Sequence, residues 1–168
     1  MKTNLYGSKR GLFFIIGVIW GCVIGACTEK KILQKKQKII MERADKFYGY
    51  FKIFDRWFSI KKENKTLETY FKKNQFHRVA LYGMGIMGNH LLSEMQTYNE
   101  VRVIYGIDQK GISLNGELRV YGNNEILPPV DVIVVTAVFD FDVIKKQLSS
   151  KASCPIVSLW DVVYSLDV

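Results

Sequence analysis

Three glycines follow an apolar run in RVALYGMGIMGNHLL, residues 78–92, and they stand at G-x-G-x-x-G spacing. Each has a distinct task if the stretch cradles a nucleotide. Gly83 permits a tight turn, Gly85 lets the backbone approach a pyrophosphate, and Gly88 lets the following helix pack closely on the strand. The helix start then offers unpaired N–H groups and the positive end of a dipole. Met84 and Ile86 fill the positions between the glycines. Asp108 stands 20 residues after Gly88, at the end of VRVIYGI. There a carboxylate accepts hydrogen bonds from a ribose hydroxyl and repels a 2′-phosphate, which favours NAD over NADP. Thr136 closes a second apolar run, VDVIVVT. The candidate cofactor-binding set is therefore Gly83, Met84, Gly85, Ile86, Gly88, Asp108 and Thr136. The same glycines also serve a turn that does nothing but pack, and Thr136 also suits a hydroxyl that caps the next turn.

Little else resembles catalysis. No Tyr-x-x-x-Lys pair of the kind a short-chain dehydrogenase uses is expected in the chain. Tyr70 is followed by Lys72 and Lys73, and Tyr105 by Lys110. No G-x-S-x-G elbow occurs, and no carboxylate pair has a clear role. His77 precedes the first strand, and His90 sits in the first helical turn, either towards a phosphate or on the helix surface. Cys22, Cys27 and Cys154 are an odd count without metal-ligand spacing, so they form neither a disulfide framework nor a metal site. One mononucleotide-type unit of about ninety residues does not readily enclose both cofactor and substrate. An enzyme is therefore not the favoured reading, and no catalytic residue is named.

The elements around the glycines follow from periodicity. Residues 78–82 read as a strand, Leu91, Leu92 and Met95 as a helix face, and 101–107 as a second strand. A polar loop at 111–116, an edge strand over 118–121 and a buried strand over 130–136 come next. Residues 140–148 form a crossover helix, 155–159 a last strand and 160–166 a closing helix. Right-handed crossovers give a parallel sheet of order 3-2-1-4-5. This is an α/β, Rossmann-like mononucleotide-binding unit over 76–168. Its crevice opens between the first and fourth strands, beside Gly83, Gly85 and Thr136.

Charge separates this unit from the residues before it. Residues 1–75 carry 17 Lys/Arg against 6 Asp/Glu, a net of +11, while 76–168 carry 7 against 10, a net of −3. Nucleic-acid binding wants the positive face on the folded module, so it is excluded as a partner. A basic segment lying against anionic lipid fits better. Residues 11–27, GLFFIIGVIWGCVIGAC, hold no charge. As a helix they rise about 25 Å, the short end of a bilayer span, with Arg10, Lys30 and Lys31 placed to snorkel. A cleaved signal peptide is the alternative. Lys30, Lys31, Lys35, Lys36, Lys38, Arg43 and Lys46 outnumber Lys2, Lys9 and Arg10, which keeps the C-terminal domain in the cytoplasm at the inner membrane. In the connector, 28–75, apolar residues recur at Ile40, Ala44, Phe47, Phe51, Phe54 and Phe58, with Leu33 one heptad earlier. Such a stripe packs on the domain, pairs with its own copy, or lies in the headgroup layer. Lys61–Lys65 reads as a polar break, and 66–71 as a short helix leading into the sheet.

The stretches ADKFYGYFKIFDRWFSIKKENKTLETYFKK, RVALYGMGIMG, YGID, VDVIVVTAVFDFDVI and PIVSLWDVV together resemble a bacterial family of single half-Rossmann domains. Its members often accompany surface-polysaccharide and glycosyltransferase genes. The core is also similar to the N-terminal nucleotide-sugar-binding domain of bacterial sialic acid and bacillosamine acetyltransferases. The resemblance covers about residues 44–168. It implies phosphate-loop roles for Gly83, Gly85 and Gly88, a ribose role for Asp108, and NAD or a nucleotide-sugar as ligand. It further implies an accessory role in cell-surface glycan biosynthesis, with a membrane glycosyltransferase as a partner. The left-handed β-helix of those acetyltransferases has no counterpart here, so acyl transfer is not implied. An interaction module with a structural glycine turn, and an NAD-dependent component completed by a partner chain, are the alternatives.

Overall fold

The computed structural model describes residues 6–109 and 118–166, with side chains from residue 29 onward. Helix α1 runs Tyr6–Lys62 and α2 Glu68–Lys73. Strand β1 is Arg78–Tyr82, helix α3 Ile86–Met95 and strand β2 Arg102–Ile107. Strand β3 is Val120–Tyr121 and β4 Val132–Val135, followed by a 3-10 turn over Val138–Asp140 and helix α4, Phe141–Leu148. Strand β5, Ile156–Ser158, and helix α5, Leu159–Tyr164, complete the order. The sheet is parallel throughout, in the order β3-β2-β1-β4-β5, as the sequence predicts. The polar loop expected at 111–116 lies outside the described residues.

The chain divides into two compact units, residues 1–49 and 50–168. In the first, α1 exposes Leu33, Ile40, Met41 and Phe47. The anchor expected at 11–27 falls within α1, and its side chains lie outside the described residues. Among the described residues no helix is long and apolar enough to cross a membrane.

The second unit is built on the two faces of the sheet, because successive strand residues point to opposite sides. Val79 and Leu81 of β1 face a core shared with the end of α1, α2, α3 and α5. Ala80 and Tyr82 face the opposite core, which α4 covers. Strand β4 is buried on both faces along its whole length, as its unbroken VIVV run requires.

The face of α1 that docks here differs from the one its stripe suggests. Ile53, Trp57 and Ile60 are buried, and they recur at steps of four and three. Phe51 and Phe58 remain exposed at 58% and 64%. Helix α1 carries two apolar faces in this region, and the bulkier stripe is not the one the domain takes. Its end is sharp: Asn64 adopts φ 55° and the chain turns into α2, where the polar break was expected.

Asp131 joins the starts of β1 and β4. Its Oδ2 accepts from the amides of His77 at 2.8 Å and Arg78 at 2.7 Å. Those donors, Arg78 first, hold its carboxyl below the usual carboxylate range.

Candidate functional site at the glycine turn

The glycine turn lies at the C-terminal end of β1, the side of a parallel sheet where ligands bind. Gly83 sits at φ +91°, a region that side chains rarely enter, and its amide donates to the Ile107 carbonyl at 2.8 Å. A Cβ there would lie 2.8 Å from Thr136 Oγ1. The Thr136 hydroxyl donates towards the Gly83 carbonyl at 2.6 Å and stands 3.1 Å from that of Tyr82. Thr136 therefore ties the end of β4 to the glycine turn rather than capping the 3-10 turn after it, which has no side-chain cap.

Gly88 answers to the same packing. A Cβ on it would stand 2.1 Å from the Gly83 carbonyl oxygen, far inside contact distance. The first turn of α3 is thus pressed onto the backbone of the loop. Two glycines of the motif are fully explained by the fold.

Gly85 is different. A Cβ built there meets nothing within 4 Å. Its φ of −76° is open to any residue, and it is the N-cap of α3 without a side-chain cap. Ile86 beside it is 75% exposed. The amides of the first helical turn have no carbonyl one turn earlier within the helix. Gly85 and Ile86 therefore present backbone to open space at the positive end of α3.

Met84 and Asp108 hold the loop from the other side. The Met84 side chain is buried and rests on Gly106, where a Cβ would come within 2.9 Å of Met84 Cγ and Sδ. Its amide donates to Asp108 Oδ2 at 3.0 Å. Met84 thus serves the site through its backbone, with its side chain turned inward to β2. Asp108 acts first as a tether for the loop.

The sequence reading missed Gly106 and Asn89. The Asn89 amide donates to the carbonyls of Met84 and Gly85, each at 2.9 Å. A small residue inside an otherwise bulky strand, and an amide side chain in the first helical turn, were the available signals. Tyr50 was missed too. Its ring meets Phe139 edge to face at 5.1 Å, and burial, then the charge of Asp140, push its phenol up. Only proximity along the fold, 89 residues apart in sequence, brings them together.

The histidines lie elsewhere. His90 packs its ring against Phe54 at 5.4 Å, towards α1 rather than the turn. His77 is exposed at the start of β1. The expectation that no Tyr-x-x-x-Lys spacing occurs is corrected by Tyr48 and Lys52 of α1, which stand at that spacing. Tyr48 is 59% exposed, and a phenol so open to water is not enclosed with a substrate. Among the described residues no group of three His, Cys, Asp or Glu side chains could hold a metal. Cys154 is half-buried against the α4 face, and burial raises its thiol.

Fold and turn together define a Rossmann-like α/β unit with a glycine-rich turn at the carboxyl end of its central strand. No protein family, curated protein or solved structure matches the chain.

Proposed function

We propose that this chain is a membrane-anchored, cytoplasmic protein that binds a nucleotide or nucleotide-sugar and serves as an accessory in cell-surface glycan biosynthesis. The observation that carries the binding part is Gly85. Its neighbours in the motif are required by packing, whereas a Cβ at 85 meets nothing within 4 Å among the described residues. A phosphate that approaches the backbone there needs a glycine. In this reading the first-turn amides of α3 take the pyrophosphate, and Asp108 meets the ribose from its place at the end of β2. The anchor is the uncharged run 11–27 with its lysine-rich cytoplasmic flank. The glycan context comes from the family resemblance alone.

The test is thermal unfolding of the full chain in mild detergent, with NAD, NADP, UDP, UDP-sugars and CDP- or ADP-linked ligands at millimolar concentration. A ligand that binds only the folded state stabilises it by about 2.7 kcal/mol at a hundred times its Kd, and so raises the midpoint. The expected result is a shift with one ligand class that Gly85→Val abolishes. No shift with any of them would make the turn a packing device and leave the exposed phenylalanines of α1 as the functional surface.

A further inference from the structure

The phenylalanine stripe of α1 is the largest feature that nucleotide binding leaves unexplained. In the sequence, Leu33, Ile40, Phe47 and Phe54 stand seven residues apart, and Ala44, Phe51 and Phe58 form a second row at the same interval. Steps of four and three make a 3.5-residue repeat, the period of a seam between two helices. A helix lying on a globular core or on lipid has a broader apolar face.

Exposure agrees with the sequence in each unit. In the first, Leu33, Ile40 and Phe47 are 57%, 64% and 75% exposed. In the second, Phe51, Phe54 and Phe58 are 58%, 38% and 64% exposed, although Ile53, Trp57 and Ile60 of the same turns are buried. Phe54 and Phe58 also line one side of an open groove of about 430 Å³, with His90 and Ser93 of α3 and Thr97 just after it opposite. Within the second unit the domain has taken one face of the helix, while Phe51 and Phe58 stay mostly exposed and Phe54 packs in part on His90.

We propose that the seam is covered by the same helix of a second copy, as a parallel pair in register over residues 33–58. The exposed parts of the four phenylalanines exceed two whole side chains per copy. At about 150–250 Å² each, and with Leu33 and Ile40 added, two copies remove roughly 1,000 Å² or more from water, enough for a specific interface. In a parallel pair the flanking positions bring Lys36 to Met41 and Arg43 to Tyr48 of the other copy, with no like charges opposed. The pairing stands apart from nucleotide binding. Its parallel direction rests on the anchor proposed above, which sends both copies into one membrane from the same end.

The test uses the full chain in mild detergent, with mass measured by light scattering across a range of protein concentrations. Two chains per particle are expected, falling to one in Phe51→Glu/Phe58→Glu, while Lys52→Ala keeps the pair. Single cysteines placed at 44 to 58, in a chain with Cys22, Cys27 and Cys154 replaced by serine, give a second reading that does not depend on disruptive variants. Same-site disulfides should peak at 44, 47, 51, 54 and 58 and fall at 46, 49, 52 and 56. A single-chain mass at every concentration overturns the proposal, as does a cross-linking profile without this period. A monomer that instead binds vesicles of anionic lipid through Phe51 and Phe58 overturns it in favour of a lipid surface. Paired mass with cross-links confined to one position overturns the parallel direction.

Discussion

The two ends of α3 treat their polar groups in opposite ways. At its last turn Glu94 is buried, at 7% exposure, and several donors converge on it. Trp57 Nε1 donates at 2.5 Å, Tyr98 Oη at 2.7 Å and the Leu67 amide at 3.4 Å, while Lys61 Nζ lies 2.9 Å away. Burial, then the charge of Glu94, push the Tyr98 phenol up, so it stays protonated as a donor. A buried carboxylate is tolerated when it is paired and hydrogen-bonded, and here one carboxylate welds α1, α2 and α3 together. At its first turn, by contrast, α3 faces open space across Gly85. Satisfied polar groups in a closed seam describe structure. Backbone left open at a helix N-terminus, beside a glycine whose added Cβ would meet nothing within 4 Å among the described residues, describes a place for something else.

The sharpest way to break this comparison is inside the motif itself. Gly88→Val should prevent folding or cost about 4 kcal/mol or more, because its Cβ meets a backbone oxygen that cannot move aside. Gly85→Ala should cost less than about 1 kcal/mol, the scale of a changed N-cap. Urea denaturation of both decides it; equal losses would erase the distinction between packing glycines and the open one.

At the other end, Glu94→Ala leaves Trp57 Nε1 and the Tyr98 hydroxyl buried without an acceptor. A loss of about 3 kcal/mol is expected, read as a lower denaturation midpoint with the ligand response at the turn retained. Lys61 is half exposed and adds little to that loss. Glu94→Gln, which keeps size and an acceptor oxygen, should cost visibly less.

The smallest effect concerns Asp131, which lies near solvent at the amino-terminal end of the central strands, opposite the glycine turn. Its folded-state carboxyl titrates below the ordinary value of about 3.9, because the Arg78 and His77 amides favour the charged form. Its contribution is therefore present above that value and lost as pH falls through the folded one. Asp131→Asn should lower stability by less than about 1 kcal/mol at neutral pH, and the two proteins should converge as pH falls through the lowered folded-state value. A difference that persists undiminished in acid would show that the bonds do not depend on the charge.

Much of the architecture was legible in the residues. Unbroken apolar runs at 79–82 and 132–135, punctuated by Gly83 and by the prolines at 128 and 129, announce buried parallel strands. Once these are strands, the right-handed crossover leaves one order for the sheet. The end of α1 was read less well. Its heptad stripe suggests the docking face, yet the domain takes Ile53, Trp57 and Ile60. Two apolar faces on one helix have no ranking in the sequence, because burial depends on the shape they meet.

By itself the sequence determined the strands, their order, the place of the glycine turn and the net charge of each half. These follow from local periodicity, glycine chemistry and handedness, which need no knowledge of distant residues. Only the tertiary structure decided which glycine is open. That depends on Thr136 Oγ1 and the Gly83 carbonyl, the first 53 residues from the turn it packs against. It also decided that Asp108 tethers Met84, that Asn89 pins the loop and that Glu94 is a weld. Each is a matter of distances between groups far apart in the chain, and spacing along the chain does not contain them.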